Sequence, residues 1–151
     1  VFTGLLQEDT KLENGDVFTC KKGCKTETYL VISVRKADES TQATVYKCNG
    51  IAHIYRTGEK QYDENDNVIS EGTVLIADVP TNHMTVNASL RQVQYSGYLP
   101  STTKEFRLPK CDVKLMDRIV LDGQNFCVDA IDSTKFDGLL AVQTSNDNRN
   151  L

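Results

Sequence analysis

Apolar and polar residues alternate in short runs along most of the chain, and the runs are separated by Gly-bearing or polar turns. Asp16 to Cys20 and Tyr29 to Arg35 are rich in Val, Ile, Phe, Tyr and Thr, with KKGCK between them as turn chemistry; together they predict a hairpin. A polar connector over 37–42 leads to ATVYKCNGIAHIYRT, read as one long strand or as two broken near Asn49-Gly50. The segment TGEKQYDENDN (57–67) is a charged tip, and VISEGTVLIADV after it predicts the returning strand of another hairpin. Residues 113–131 give the clearest hairpin, and LLAVQTSN adds one more short strand before a polar tail over 144–151.

Two stretches are less periodic. The head, residues 1–13, predicts an N-terminal arm, either irregular or with one helical turn. Residues 80–109 hold all three prolines and the polar linker PSTTKE, and they predict a long loop excursion within the domain. Inside it, Val86, Leu90 and Val93 have helical spacing while Val93 and Tyr95 alternate as in a strand, so both conformations stay open. Many short strands with almost no sustained helical period predict a mainly β fold: a small β-barrel, Src-homology-3-like, or a sandwich.

One pattern occurs twice. VKLMDRIVLDGQNFCVDAID (113–132) and the looser ENGDVFTCKKGCKTETYLVISV (13–34) each place an Asp before an apolar strand, then a Gly turn, an aromatic residue and a valine-rich strand. Their polar residues are turn formers and nothing catalytic recurs between them. They read as one barrel hairpin used twice, without requiring a duplication.

A length of 151 residues suits a single domain. No run approaches the roughly 18–20 apolar residues of a membrane helix, and the first residues show no leader pattern, so a cytosolic or virion protein is expected. A net charge of −4 argues against tight nucleic-acid binding, yet suits the wall of a passage through which DNA slides.

Candidate chemistry is sparse. Five cysteines without framework spacing argue against a disulfide scaffold; Cys20, Cys24, Cys48 and His53 could serve zinc, but buried structural thiols are the simpler reading. The run DENDN (63–67) resembles the start of a calcium loop but has Val68 where glycine belongs and Val74 where a bidentate carboxylate belongs. His53 and His83 lie in no catalytic signature, and His83 reads as a loop residue. Asp117 and Asp129 are the residual acid pair of a hydrolase reading that nothing else selects. No enzyme, cofactor or metal site is expected.

Three stretches, GDVFTCKKGCKTETYLVISV, YKCNGIAHIYRTGEKQYDENDN and LMDRIVLDGQNFCVDAIDSTKFDGLLAVQTSNDN, cover roughly half the chain and together resemble the head-tail joining proteins of tailed bacteriophages, the head-closure or stopper family below the portal. Cys20 and Cys24 depart from the polar first turn of that pattern, and residues 80–109 match no part of it. The resemblance implies a small β-barrel that forms a homo-oligomeric ring in the virion neck, assembled in the host cytoplasm. It would contact the portal or adaptor above and tail proteins below, with double-stranded DNA passing through and no membrane. Expected interaction residues are Tyr62, Asp63, Glu64 and Asp66 at the charged tip, and Leu90, Val93, Tyr95, Tyr98 and Leu99 in the excursion. Two other readings stay open: another virion β-protein (tail terminator, tail tube or decoration subunit), and a small metal- or ligand-binding barrel.

Overall fold

The strands sort into an open sheet and a closed barrel. The computed structural model describes residues 2–6, 11–87 and 98–151, and among these it is all β with no helix. Strands β1 (Phe2–Leu6), β2 (Val17–Lys22), β3 (Lys25–Lys36) and β4 (Thr41–Lys47) form a sheet in the order β1-β4-β3-β2. Strands β5 (Gly50–Tyr62), β6 (Val68–Thr85), β7 (Lys104–Pro109), β8 (Arg118–Leu121), β9 (Gln124–Asp132) and β10 (Leu139–Asn146) close into a six-stranded barrel in the order β10-β7-β6-β5-β8-β9. Every pairing is antiparallel.

Alternation along these strands fills the barrel. Ile54, Phe106, Leu108, Ile119, Val128 and Val142 are fully buried in one cluster, and Phe106 meets Phe126 edge-on at 5.6 Å between ring centres. A six-stranded barrel is narrow enough for side chains to occupy its whole interior. The barrel is therefore a core and carries no channel.

The repeated sequence pattern is a repeated structure. In the first copy, Gly15 N donates to Val31 O (2.8 Å) and Val31 N to Asp16 O (2.9 Å); in the second, Met116 N donates to Val128 O (2.9 Å) and Val128 N to Asp117 O (2.9 Å). Phe18 faces Tyr29 across the first hairpin as Ile119 faces Phe126 across the second. The correspondence extends to neighbours, because going round the barrel β7-β10-β9-β8 has the same antiparallel order as β1-β4-β3-β2. In the barrel, β5 pairs with β8 and β6 with β7, closing the set; no hairpin does so for β1–β4 among the described residues. Only the second hairpin thus belongs to the barrel, whereas the sequence places both there.

Sheet and barrel meet over the outer side of β7. Arg107 stacks on the Tyr46 ring at 4.8 Å, and Tyr46 meets Phe136 edge-on. Glu105, 1% exposed, is paired with Arg107 and with Lys135 at 2.9 and 3.1 Å. Asn82 donates to Lys47 O at 2.8 Å and accepts from Arg107 at 2.8 Å. At the far end of the joint the backbones of Gly15 and Gly138 touch, each at φ +88°, and a Cβ on either would lie within 2.5 Å of a carbonyl oxygen.

Three expectations change. The head is a strand: Phe2–Leu6 pairs with β4, from Phe2 opposite Val45 to Leu6 opposite Thr41. The excursion is shorter than 80–109, because β6 runs through Pro80 to Thr85 and Lys104–Pro109 is a central barrel strand bonded to both β6 and β10. The tail is tied down: Arg118 Nε donates to Asp147 Oδ2 and Arg149 Nη2 to the same oxygen, at 2.9 and 2.8 Å, which leaves Asp147 8% exposed.

Candidate assembly interface

The β5–β6 hairpin is longer than the barrel needs. Strand β8 pairs with β5 only from His53 to Tyr55, and β7 pairs with β6 only from Asn82 to Thr85. Beyond Arg56 the two strands pair only with each other among the described residues, so an arm of about 20 Å, six residues at a strand's rise, projects past the barrel. Its root is clamped where Arg56 donates to both carboxylate oxygens of Asp117, each at 2.9 Å, and to Asp112 Oδ2 at 3.1 Å. Those carboxylates hold the Arg56 guanidinium firmly protonated, with Asp117 contributing most.

The arm exposes apolar surface. Val74 and Leu75 near its root and Tyr62, Val68 and Ile69 near its tip are all exposed, with Ile69 at 66%. Single exposed apolar residues are ordinary on a monomer; three on one two-stranded projection, with Val74 and Leu75 opposite Arg56 and Tyr55 at its root, mark a contact surface.

The tip residues divide. Asp63 Oδ1 accepts from the amides of Asn65 and Asn67 at 2.8 and 2.9 Å, and Oδ2 accepts from Asn67 Nδ2. Those amides, Asn67 first, hold its carboxyl below the usual aspartate range, so Asp63 builds the turn. Tyr62, Glu64 and Asp66 are exposed and available to a partner.

The excursion residues divide too. Leu90, Val93 and Tyr95 lie outside the described residues. Leu99 is 41% exposed, its amide donating to Gln143 Oε1. Tyr98 is a joint residue and not a free contact: Lys135 sits over its ring at 5.3 Å, and burial, then the neighbouring Glu105, push its hydroxyl above the ordinary tyrosine range.

The residues weighed for other chemistry are dispersed or occupied. Cys20 and Cys48 lie on opposite faces of the sheet, since Cys20 opposes Glu27 while Cys48 bonds to Thr28, the next residue along β3. Among the described residues no three His, Cys, Asp or Glu side chains converge as a metal site. His53 bonds Asp78 at 2.5 Å. His83 is a β6 residue instead of a loop residue, and burial followed by nearby Lys104 lowers its pKa. Asp117 is spent on Arg56 and on the Lys114 amide, 2.8 Å away, and is 2% exposed.

Sequence reasoning missed a groove of about 410 Å³ on the sheet face turned from the barrel. Phe2, Phe18, Tyr29 and Val45 form its floor, Cys20 and Lys22 part of its rim, and among the described residues the lining comes from β1–β4. Phe18 stacks on Tyr29 at 5.3 Å and Phe2 meets Tyr29 edge-on at 6.5 Å. Glu27 accepts from the Tyr29 hydroxyl at 2.6 Å and from Lys47 at 2.9 Å, and these bonds draw its pKa down to about 2. The available signal was alternation: Phe18 and Tyr29 occupy the repeat positions of Ile119 and Phe126, which in the barrel point inward.

Set against models of known protein families, characterised proteins and solved structures, the chain matches none.

Proposed function

We propose that this chain is a structural subunit that assembles into a homo-oligomeric ring, acting as a head-tail connector or head-closure protein in the neck of a tailed-phage virion. The observation that carries the reading is the β5–β6 arm, which projects beyond the barrel with exposed Tyr62, Val68 and Ile69 and has exposed Val74 and Leu75 at its root. An arm of this kind gains by burial against a neighbour, and exchange of equivalent arms between identical copies yields a closed ring when the rotation closes.

In this reading DNA would pass outside the filled barrel. With Phe106, Phe126 and Val142 occupying the interior, a duplex would run along the axis between copies, never through one. The net charge of −4 disfavours phosphate adhesion, which suits a conduit that must not grip. Portal or adaptor and tail proteins would meet the ring's two faces.

Mass measurement of the native protein over a concentration series, with images of the particles, tests this reading. A single ring stoichiometry that recurs when portal protein is added supports it. A monomer at every concentration, with or without portal, overturns it.

A further inference from the structure

We propose that the β1–β4 sheet is an unclosed counterpart of the barrel and that it is completed by the distal β5–β6 arm of a second copy, joining copies head to tail. The proposal rests on the ring reading and names the surfaces that would build it.

Among the described residues the two halves match in topology up to one missing piece. β1-β4-β3-β2 repeats the order β7-β10-β9-β8, and in the barrel the gap between β8 and β7 is filled by a hairpin. That hairpin lays Ala52 and Ile54, with Ile76, Ala77 and Val79, onto the faces of β7–β10. The corresponding gap between β2 and β1 has no hairpin among the described residues, and the face it would cover is the aromatic groove. Unpaired sheet edges beside an apolar trough are a template for an added strand pair.

The two surfaces also differ in the sign of their charge. Lys22 and Lys25 oppose each other at the end of the β2–β3 hairpin, on the same face as Cys20 and Glu27. In sequence the arm carries Glu59, Glu64, Asp66 and Glu71 beside the turn-forming Asp63, against one basic residue, Lys60. An acidic tip bearing Tyr62, Val68 and Ile69 complements a basic-rimmed groove floored by Phe2, Phe18 and Tyr29 in both polarity and sign.

Exposure favours a second copy over the same chain. Among the described residues no arm side chain lines the groove, and Tyr62, Val68 and Ile69 stay exposed within one chain. Joining two different patches is a heterologous contact, the kind that generates rings.

The groove contains its own reporter, because Cys20 is a free, exposed thiol within it. In a Cys24→Ser background, Tyr62→Cys should give, on mild oxidation, a ladder of covalent multimers that disappears when Cys20→Ser is added. Separately, K22E/K25E should reduce the assembled fraction about tenfold through like-charge juxtaposition. Adding E64K/D66K to the same chain should restore it, which a merely misfolded variant would not do.

Multimers of normal mass in K22E/K25E, with no Cys20 linkage, overturn the groove and leave the ring reading standing. A wild-type chain that stays monomeric under all conditions overturns both. Cys20 shielded from alkylation in dilute monomer means that the chain's own residues fill the groove, and overturns the proposal.

Discussion

Asp16 and Asp117 do the same local job in the two halves of the molecule. Asp16 Oδ2 accepts from the Glu13 amide and Asp117 Oδ2 from the Lys114 amide, both at 2.8 Å, and each fixes the turn that launches a hairpin. They differ in what approaches from outside: Asp117 is gripped by Arg56 of the closing hairpin, and Asp16 has no arginine partner among the described residues. Asp117→Ala should cost about 3 kcal/mol, the low end for breaking a buried ion pair because Arg56 stays partly solvated and keeps Asp112. Asp16→Ala should cost about 1 kcal/mol, a single local hydrogen bond. Urea denaturation of both variants checks the difference, and equal losses would refute the clamp.

The Gly15–Gly138 contact predicts a second asymmetry. Both residues have φ +88°, and an added Cβ would lie 2.4 Å from Gly138 O in one case and 2.5 Å from Asn14 O in the other, with backbone that cannot yield on each side. Either Gly→Ala replacement should cost about 3 kcal/mol, combining left-handed strain with a forced separation of sheet from barrel. Gly23, at φ +63° with nothing within 4 Å, is the control, and its replacement should cost about 1 kcal/mol. Thermal unfolding of the three variants separates joint from turn.

Both hairpins of the repeat were legible because their signals are local. Asp122 and Gly123, at φ +49° and +77°, form the two-residue turn that an Asp-Gly pair between alternating strands predicts. The strands that escaped notice depend on distant partners. KEFRLP reads as loop because the polar linker PSTTKE runs into it and Pro109 ends it, although Glu105 and Arg107 alternate with Phe106 and Leu108 as in a strand; all four are buried, the charged pair under the sheet and the apolar pair in the barrel. Phe2–Leu6 is a strand only because β4 is beside it. The charged tip near Asp63 could be read as a projection, but not that Asp63 itself would be consumed in making the turn. The groove was invisible for a related reason: its aromatic floor has the same spacing as a core, and only topology shows that no hairpin lies over it among the described residues.

Acid should loosen the groove before the barrel core. The Glu27 carboxyl is drawn from 4.5 to about 2, first by the Tyr29 hydroxyl and then by Lys47, so its folded form binds fewer protons than its unfolded form. Its contribution is complete above about pH 4.5 and is lost as pH falls towards 2. Asp63, Asp132 and Asp147 are shifted the same way, so the whole protein loses stability in acid. Glu27→Gln isolates the groove: its stability deficit relative to the unmodified chain should be constant above pH 4.5 and shrink below it. A deficit that does not change with pH would show that the ion pair contributes nothing.

Surface apolar residues on the arm should matter to assembly and not to folding. Ile69 and Val74 are 66% and 57% exposed, so each already contacts mainly water in the isolated chain. Replacing both with Thr keeps a β-branched side chain suited to a strand while removing apolar surface. Stability of the monomer should therefore stay within about 0.5 kcal/mol of the unmodified value, as for other surface changes away from special contacts. If the arm seats on a neighbour, the same variant should shift the mass distribution from multimer to monomer at a fixed concentration. Light scattering and denaturation of a single preparation read both quantities together. Loss of stability in step with loss of assembly would reassign the arm from a docking element to a part of the fold.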